Sequence, residues 1–85
     1  MRTRPQILAE IQAIAAATLG WRGEVSAATR LVEDLELDSL RALAFVVEIE
    51  NRLRVRIQPE DETGLATVGD LAAVVELRQR EHDAG

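Results

Sequence analysis

Apolar residues recur at Ile7, Ile11, Ile14 and Ala15, a spacing that lays one stripe along a helix. Thr3-Arg4-Pro5-Gln6 just ahead has the form of a capping box, with Thr3 as N-cap, Gln6 reaching back and Pro5 in the first turn. Gly20 supplies a stop, so the pattern predicts a first helix over 4–19. Periodicity then lapses over 20–37, where Gly20, Gly23, Ser26 and Thr29 favour turns. So long a connection must be functional or packed down by its own side chains. Its expected anchors are Trp21, Val25, Leu31, Val32, Leu35 and Leu37.

A second helix is predicted to start at Asp38, an N-cap residue that leaves Ser39 in the first turn. Leu40, Leu43, Phe45, Val46, Val47, Ile49 and Leu53 surround most of it, and only a stripe through Arg41, Glu48, Asn51 and Arg52 is clearly polar. A helix apolar on most sides is either central or meets a partner on its second face. Residues 52–57 alternate with period two, but a lone strand of six has nothing to pair with. They are read as the end of the second helix running into an extended loop. Pro59 and the acids after it predict a short helix at about 60–65. Thr67-Val68-Gly69-Asp70 resembles another capping box, followed by Val68, Leu71, Ala72 and Val75 at helical spacing. The tail Asp83-Ala84-Gly85 is expected to fray. The fold class is therefore all-α: a four-helix bundle in a single domain, 1–85, with an ordered core of about 4–80.

Composition agrees with helices. The 47% of hydrophobic residues are mostly Ala, Leu, Val and Ile, with one Phe, one Trp and no Tyr. No cysteine is present, so neither a disulfide framework nor a thiolate zinc site can hold the fold. The net charge is −5, from 15 acids against 10 arginines, and with so few aromatics it argues against nucleic acid as a partner. Segment 31–51 holds six acids and one arginine, whereas Arg52, Arg54 and Arg56 make a short basic stretch. Glu10 and Gln12 interrupt the first apolar run, and the sequence offers no uncharged span of membrane length. The expectation is a cytoplasmic protein with no membrane contact.

Ser39 draws attention because it opens a helix, where free N–H groups and the helix dipole favour a phosphate. Asp-Ser at a helix start is also common as plain capping. Glu33, Asp34, Glu36 and Asp38 crowd the approach and would repel a free anion. They are compatible with a covalently attached phosphodiester pointing away from the body. His82 is a lone histidine beside the tail, with no companion that would make it a base or ligand. Ser26 lacks both the acidic lead-in and the apolar helix.

Leu31-Val32-Glu33-Asp34-Leu35-Glu36-Leu37-Asp38-Ser39-Leu40 closely resembles the signature of acyl carrier proteins, and the similarity continues through Ile57, Glu60, Leu65, Thr67-Val68 and Leu71. The resemblance implies a carrier, not an enzyme: no catalytic residue, no metal site, and a 4′-phosphopantetheine arm on Ser39. The arm would come from coenzyme A through a magnesium-dependent phosphopantetheinyl transferase. Asp38 would help position Ser39, with Leu40 and Leu43 bordering it. In carriers of fatty-acid synthesis the exposed face of this helix is typically acidic, and its positions here include Arg41, Ala44, Val47, Glu50 and Asn51. Only one is acidic, which should weaken docking to a generic basic patch. The resemblance thus implies a monomeric carrier serving acyl-loading, condensing or tailoring enzymes of a dedicated polyketide or other specialised acyl pathway. Two alternatives stay open. One is an aminoacyl or peptidyl carrier, against which Glu36-Leu37 leans because peptidyl carriers tend to have glycines there. The other is an unmodified helical adaptor binding through helix 2.

Overall fold

Thr3 and Gln6 close the first helix as a reciprocal pair. The Thr3 N–H donates to Gln6 Oε1 at 2.8 Å and the Gln6 N–H to Thr3 Oγ1 at 3.4 Å. In this computed structural model, which describes residues 2–84 and side chains as far as Glu81, helix α1 runs Arg4–Leu19. It ends where Gly20 takes the left-handed conformation (φ 68°), which glycine adopts without steric cost. Helices α2 (Ser39–Leu53), α3 (Pro59–Glu62) and α4 (Val68–Ala84) follow. α1 packs against both α2 and α4.

The stripe read from α1 is the one that is buried: Ile7, Ile11, Ile14 and Ala15 are fully covered. Phe45, Ile49 and Leu53 of α2 and Val68, Leu71, Ala72 and Val75 of α4 complete the centre. Among the described residues one polar side chain is buried with them. Gln79 donates from Nε2 to the Arg2 carbonyl at 2.6 Å and accepts from the Arg2 N–H at 3.3 Å, so its amide is satisfied.

The long first connection is docked along its middle. Leu31 N–H donates to Ala66 O at 3.0 Å, Val68 N–H to Thr29 O at 2.8 Å, and Gly69 N–H to Ala27 O at 2.9 Å. A Cβ on Gly69 would stand 2.9 Å from that same Ala27 oxygen, so the close approach requires glycine. Residues 31–35 then coil into a turn whose Leu31 and Leu35 enter the core. Val32, expected among the anchors, is instead 61% exposed, because the coil that buries its two neighbours turns it outward.

The period-two run also resolves. α2 stops at Leu53, Arg54 turns the chain at φ 56°, and the following residues are neither helix nor strand. Val55 and Ile57 are nevertheless buried while Arg54 and Arg56 are exposed, so the alternation reports an extended segment lying on the core. α3 is shorter than expected, four residues against about six, since Thr63 and Gly64 already form a turn. At α4 the capping box is present: the Asp70 N–H donates to Thr67 Oγ1 and the Thr67 N–H to Asp70 Oδ2, both at 3.1 Å. α4 runs through Ala84; the expected fraying of the tail and the reading of His82 fall on Gly85 and on the side chains of 82–84, which lie outside the described residues.

Candidate functional site

Asp38 sits in an extended conformation as the N-cap of α2. Its Oδ1 accepts the Arg41 N–H at 2.8 Å, and its carbonyl accepts the Ala42 N–H at 2.8 Å. One carboxylate oxygen thus satisfies an orphan donor of the first turn and sets the direction in which α2 starts. Ser39 is the first helical residue and is exposed; Leu40 beside it is 77% exposed.

Ser39 also lies at the edge of a cleft of about 570 Å³. Leu31, Val32 and Leu37 of the long connection line one side, Leu43, Phe45 and Val46 of α2 another, and Leu65 and Leu71 the remainder. Its charged lining residues are Asp38 and Glu62. The lining is otherwise largely apolar, and its two carboxylates disfavour an anionic occupant. Sequence reasoning could not see this cleft, because its walls come from four separate segments.

The acidic lead-in is less repulsive than its composition implies. Arg30, in the preceding turn, lies 3.4 Å from Asp34 and 3.8 Å from Glu33. Its backbone N–H also donates to Asp34 Oδ2 at 2.8 Å. That N–H first, and the guanidinium second, hold the Asp34 carboxyl below the usual carboxylate range. Glu36 adopts φ 56°, a left-handed conformation that glycine reaches more easily. Whether position 36 holds glutamate or glycine is therefore also a matter of backbone ease, which weakens it as a mark of cargo type.

Of the five α2 positions expected to meet partners, Ala44, Val47 and Asn51 are exposed. Arg41 is exposed too, but its guanidinium donates to the Leu19 carbonyl at 3.4 Å, at the C-terminus of α1. A cation there is favoured by the helix dipole. Glu50 departs from the expectation. It is only partly exposed, and its Oε2 accepts the Ile57 N–H at 2.9 Å, so it ties down the extended segment. The outer face of α2 is in fact mainly apolar, with Leu40, Leu43 (62% exposed) and Val47 (44% exposed) along it. The helix apolar on most sides is therefore one with an uncovered second face. Among the described residues no helix is long and apolar enough to cross a membrane.

A family model described as "Phosphopantetheine attachment site" matches residues 9–75. An acyl carrier protein of an Exiguobacterium species is 36% identical over 77 residues, covering 89% of this chain and 98% of that protein. A meromycolate extension acyl carrier protein of Mycobacterium tuberculosis is 33% identical over 81 residues, covering 94% of this chain and 70% of that protein. Among solved structures, an acyl carrier protein from Mycobacterium tuberculosis superposes with a TM-score of 0.77 at 28% identity, covering 84% of this chain and 96% of that one.

Proposed function

Because this chain belongs to the phosphopantetheine-binding acyl carrier proteins, which are carriers rather than catalysts, we propose that Ser39 is its attachment residue and that the cleft beside it shelters an aliphatic acyl group. The observation that carries this reading is the juxtaposition at one helix start: an exposed serine, a cap fixed by Asp38, and a largely apolar space opening beside them. Ser26, the only other serine, lies in the long connection with its N–H donating to Thr29 Oγ1 at 2.9 Å, and it borders no part of that cleft.

When bound, 4′-phosphopantetheine supplies a terminal thiol that holds an acyl group as a thioester. Loading forms an Oγ–phosphorus bond at Ser39 and breaks the diphosphate of coenzyme A, releasing the nucleotide. The serine proton leaves to a base of the transferase. The Asp38 Oδ1 accepts the Arg41 N–H, so this side chain orients the first turn that carries Ser39. Each cargo methylene withdrawn from water into the cleft contributes about 0.8 kcal/mol. The family implies a phosphopantetheinyl transferase and acyl-processing enzymes as partners.

The finer reading is a dedicated acyl pathway, specialised fatty-acyl or polyketide, whose enzymes meet α2 through apolar contacts. Support comes from the exposed Leu40, Leu43 and Val47 and from Glu50 being turned away to Ile57. The relatives named for meromycolate extension favour the fatty-acyl branch.

Intact mass after incubation with coenzyme A, magnesium and a permissive transferase tests the assignment. We expect one pantetheine adduct in the native chain and none in Ser39→Ala. An adduct surviving in Ser39→Ala would move the site elsewhere. No adduct under conditions that modify a control carrier would favour an unmodified adaptor.

A further inference from the structure

Three arginines crowd into positions 52, 54 and 56, and the carrier reading uses none of them. The structure explains why they stay outside. Arg52 is exposed in the last turn of α2. Past Leu53 the chain runs extended, so Val55 and Ile57 turn inward and Arg54 and Arg56 turn outward. Arg2 joins them, its guanidinium donating to the carbonyls of Arg52 at 3.3 Å and Leu53 at 3.5 Å. Arg2 and three exposed arginines thus belong to the segment that ends α2, opposite Ser39.

Among the described residues the ion pairs join Arg4 to Glu76, Arg30 to Glu33 and Asp34, and Arg78 to Asp61 and Glu81. Arg52, Arg54 and Arg56 have no such partner. Glu50, the acid nearest in sequence to Arg52, is spent on the Ile57 N–H. Arg22, Arg41 and Arg80 also lack an ion pair among the described residues, but only 52, 54 and 56 fall together, in a stretch 51–59 that holds no acid in a chain of net charge −5. Like charges so close repel one another, and solubility alone is met by interspersed signs.

We propose that this arginine end is a docking surface for an acidic patch on a partner protein. The planar guanidinium fork matches a carboxylate in two parallel hydrogen bonds. The net negative charge of the whole chain disfavours approach to the extended fields of nucleic acids and anionic membranes. It is screened over about 8–10 Å at moderate salt, a range at which local carboxylate pairs still form. The described apolar residues of this end, Leu53, Val55 and Ile57, are buried, so none of these three is left to enter a bilayer. Placement supports the idea as well. The helix between this end and Ser39 is about 22 Å long, so a partner held here leaves the attachment serine free for another.

The test is an NMR titration of the isotope-labelled full chain with a ten-residue Asp/Glu peptide at about 0.1 M salt, where the net charge of the chain is screened. Shifts should concentrate on Arg2 and residues 52–57, weaken above about 0.3 M salt, and lose about tenfold in affinity in the triple variant R52Q/R54Q/R56Q. That variant should still accept pantetheine at Ser39, which shows it folded. If Ser39 takes no arm, the carrier reading falls while the titration still judges this surface. Shifts spread evenly over the chain, or unchanged in the triple variant, would overturn the proposal. So would equal shifts from inorganic phosphate, or tighter binding to phosphatidylglycerol vesicles than to the peptide.

Discussion

The two ends of α2 are built on opposite plans. At the C-terminal end Leu53 is buried, Arg2 bonds the last carbonyls, and Val55 and Ile57 press the following segment onto the core. At the N-terminal end Leu40 and Leu43 stand in solvent, and the neighbouring space is a cleft rather than packed side chains. One helix therefore closes its far end against the core and, short of Phe45, leaves its first turn open apart from the Asp38 cap and the Arg41 bond to Leu19. Packing is concentrated away from the first turn, so the end that bears Ser39 is open to contact without disturbing what keeps the chain folded.

Paired truncations test that separation most severely. Leu53→Ala should cost about 2–5 kcal/mol by urea unfolding, the range for emptying a filled apolar site. Leu40→Ala should change stability by no more than about 0.5 kcal/mol. Comparable losses at both ends would erase the contrast. A smaller effect belongs to the cap. Asp38→Ala removes the acceptor of the Arg41 N–H and should cost about 1 kcal/mol, while Asp38→Asn keeps most of it. If the cap also aims Ser39, pantetheine loading should slow more in Asp38→Ala than stability alone would explain.

Acid provides the gentlest probe, and it acts away from Ser39. The Arg78 guanidinium first, then the Gln58 N–H, hold the Asp61 carboxyl below its ordinary value, and the N–H groups of Ala66 and Thr67 do the same for Asp70. A carboxyl whose pKa is lowered on folding contributes stability above the unfolded value of about 3.9, and that contribution disappears as pH falls through the folded value. Urea midpoints should therefore be flat near neutrality and decline below about pH 5. Asp61→Asn should make that decline shallower. An unchanged acid profile in Asp61→Asn would mean that its pairing with Arg78 contributes nothing on folding.

The sequence made local features legible and left the assembled ones hidden. Thr3 with Gln6, Asp38, and Thr67 with Asp70 mark helix starts because capping is a matter of three or four neighbouring residues. The place of Ser39 in the first turn of α2 was legible for the same reason. Val32 and Glu50 were misplaced because their surroundings come from residues distant in pattern. Val32 depends on how the turn at 31–35 coils, and Glu50 on where residue 57 returns. Arg30 escaped notice because only the folded turn sets its side chain against Asp34 and Glu33. Arg41 stood out by its sign, but its contact with the Leu19 carbonyl required the antiparallel approach of α1.

α3 deserves a last consideration, since Glu62 at its end and Leu65 just beyond it line the cleft. It has four residues, none of them buried, fewer than an isolated helix needs to persist in water. It is held by the two hydrogen bonds from Arg78 to Asp61, at 2.7 and 2.9 Å. Its backbone amides should exchange with deuterium earlier than those of the other three helices, by an opening that leaves the core shut. The cleft would then have one wall that breathes on its own, and the rate of that opening would set how quickly a sheltered chain can be handed over.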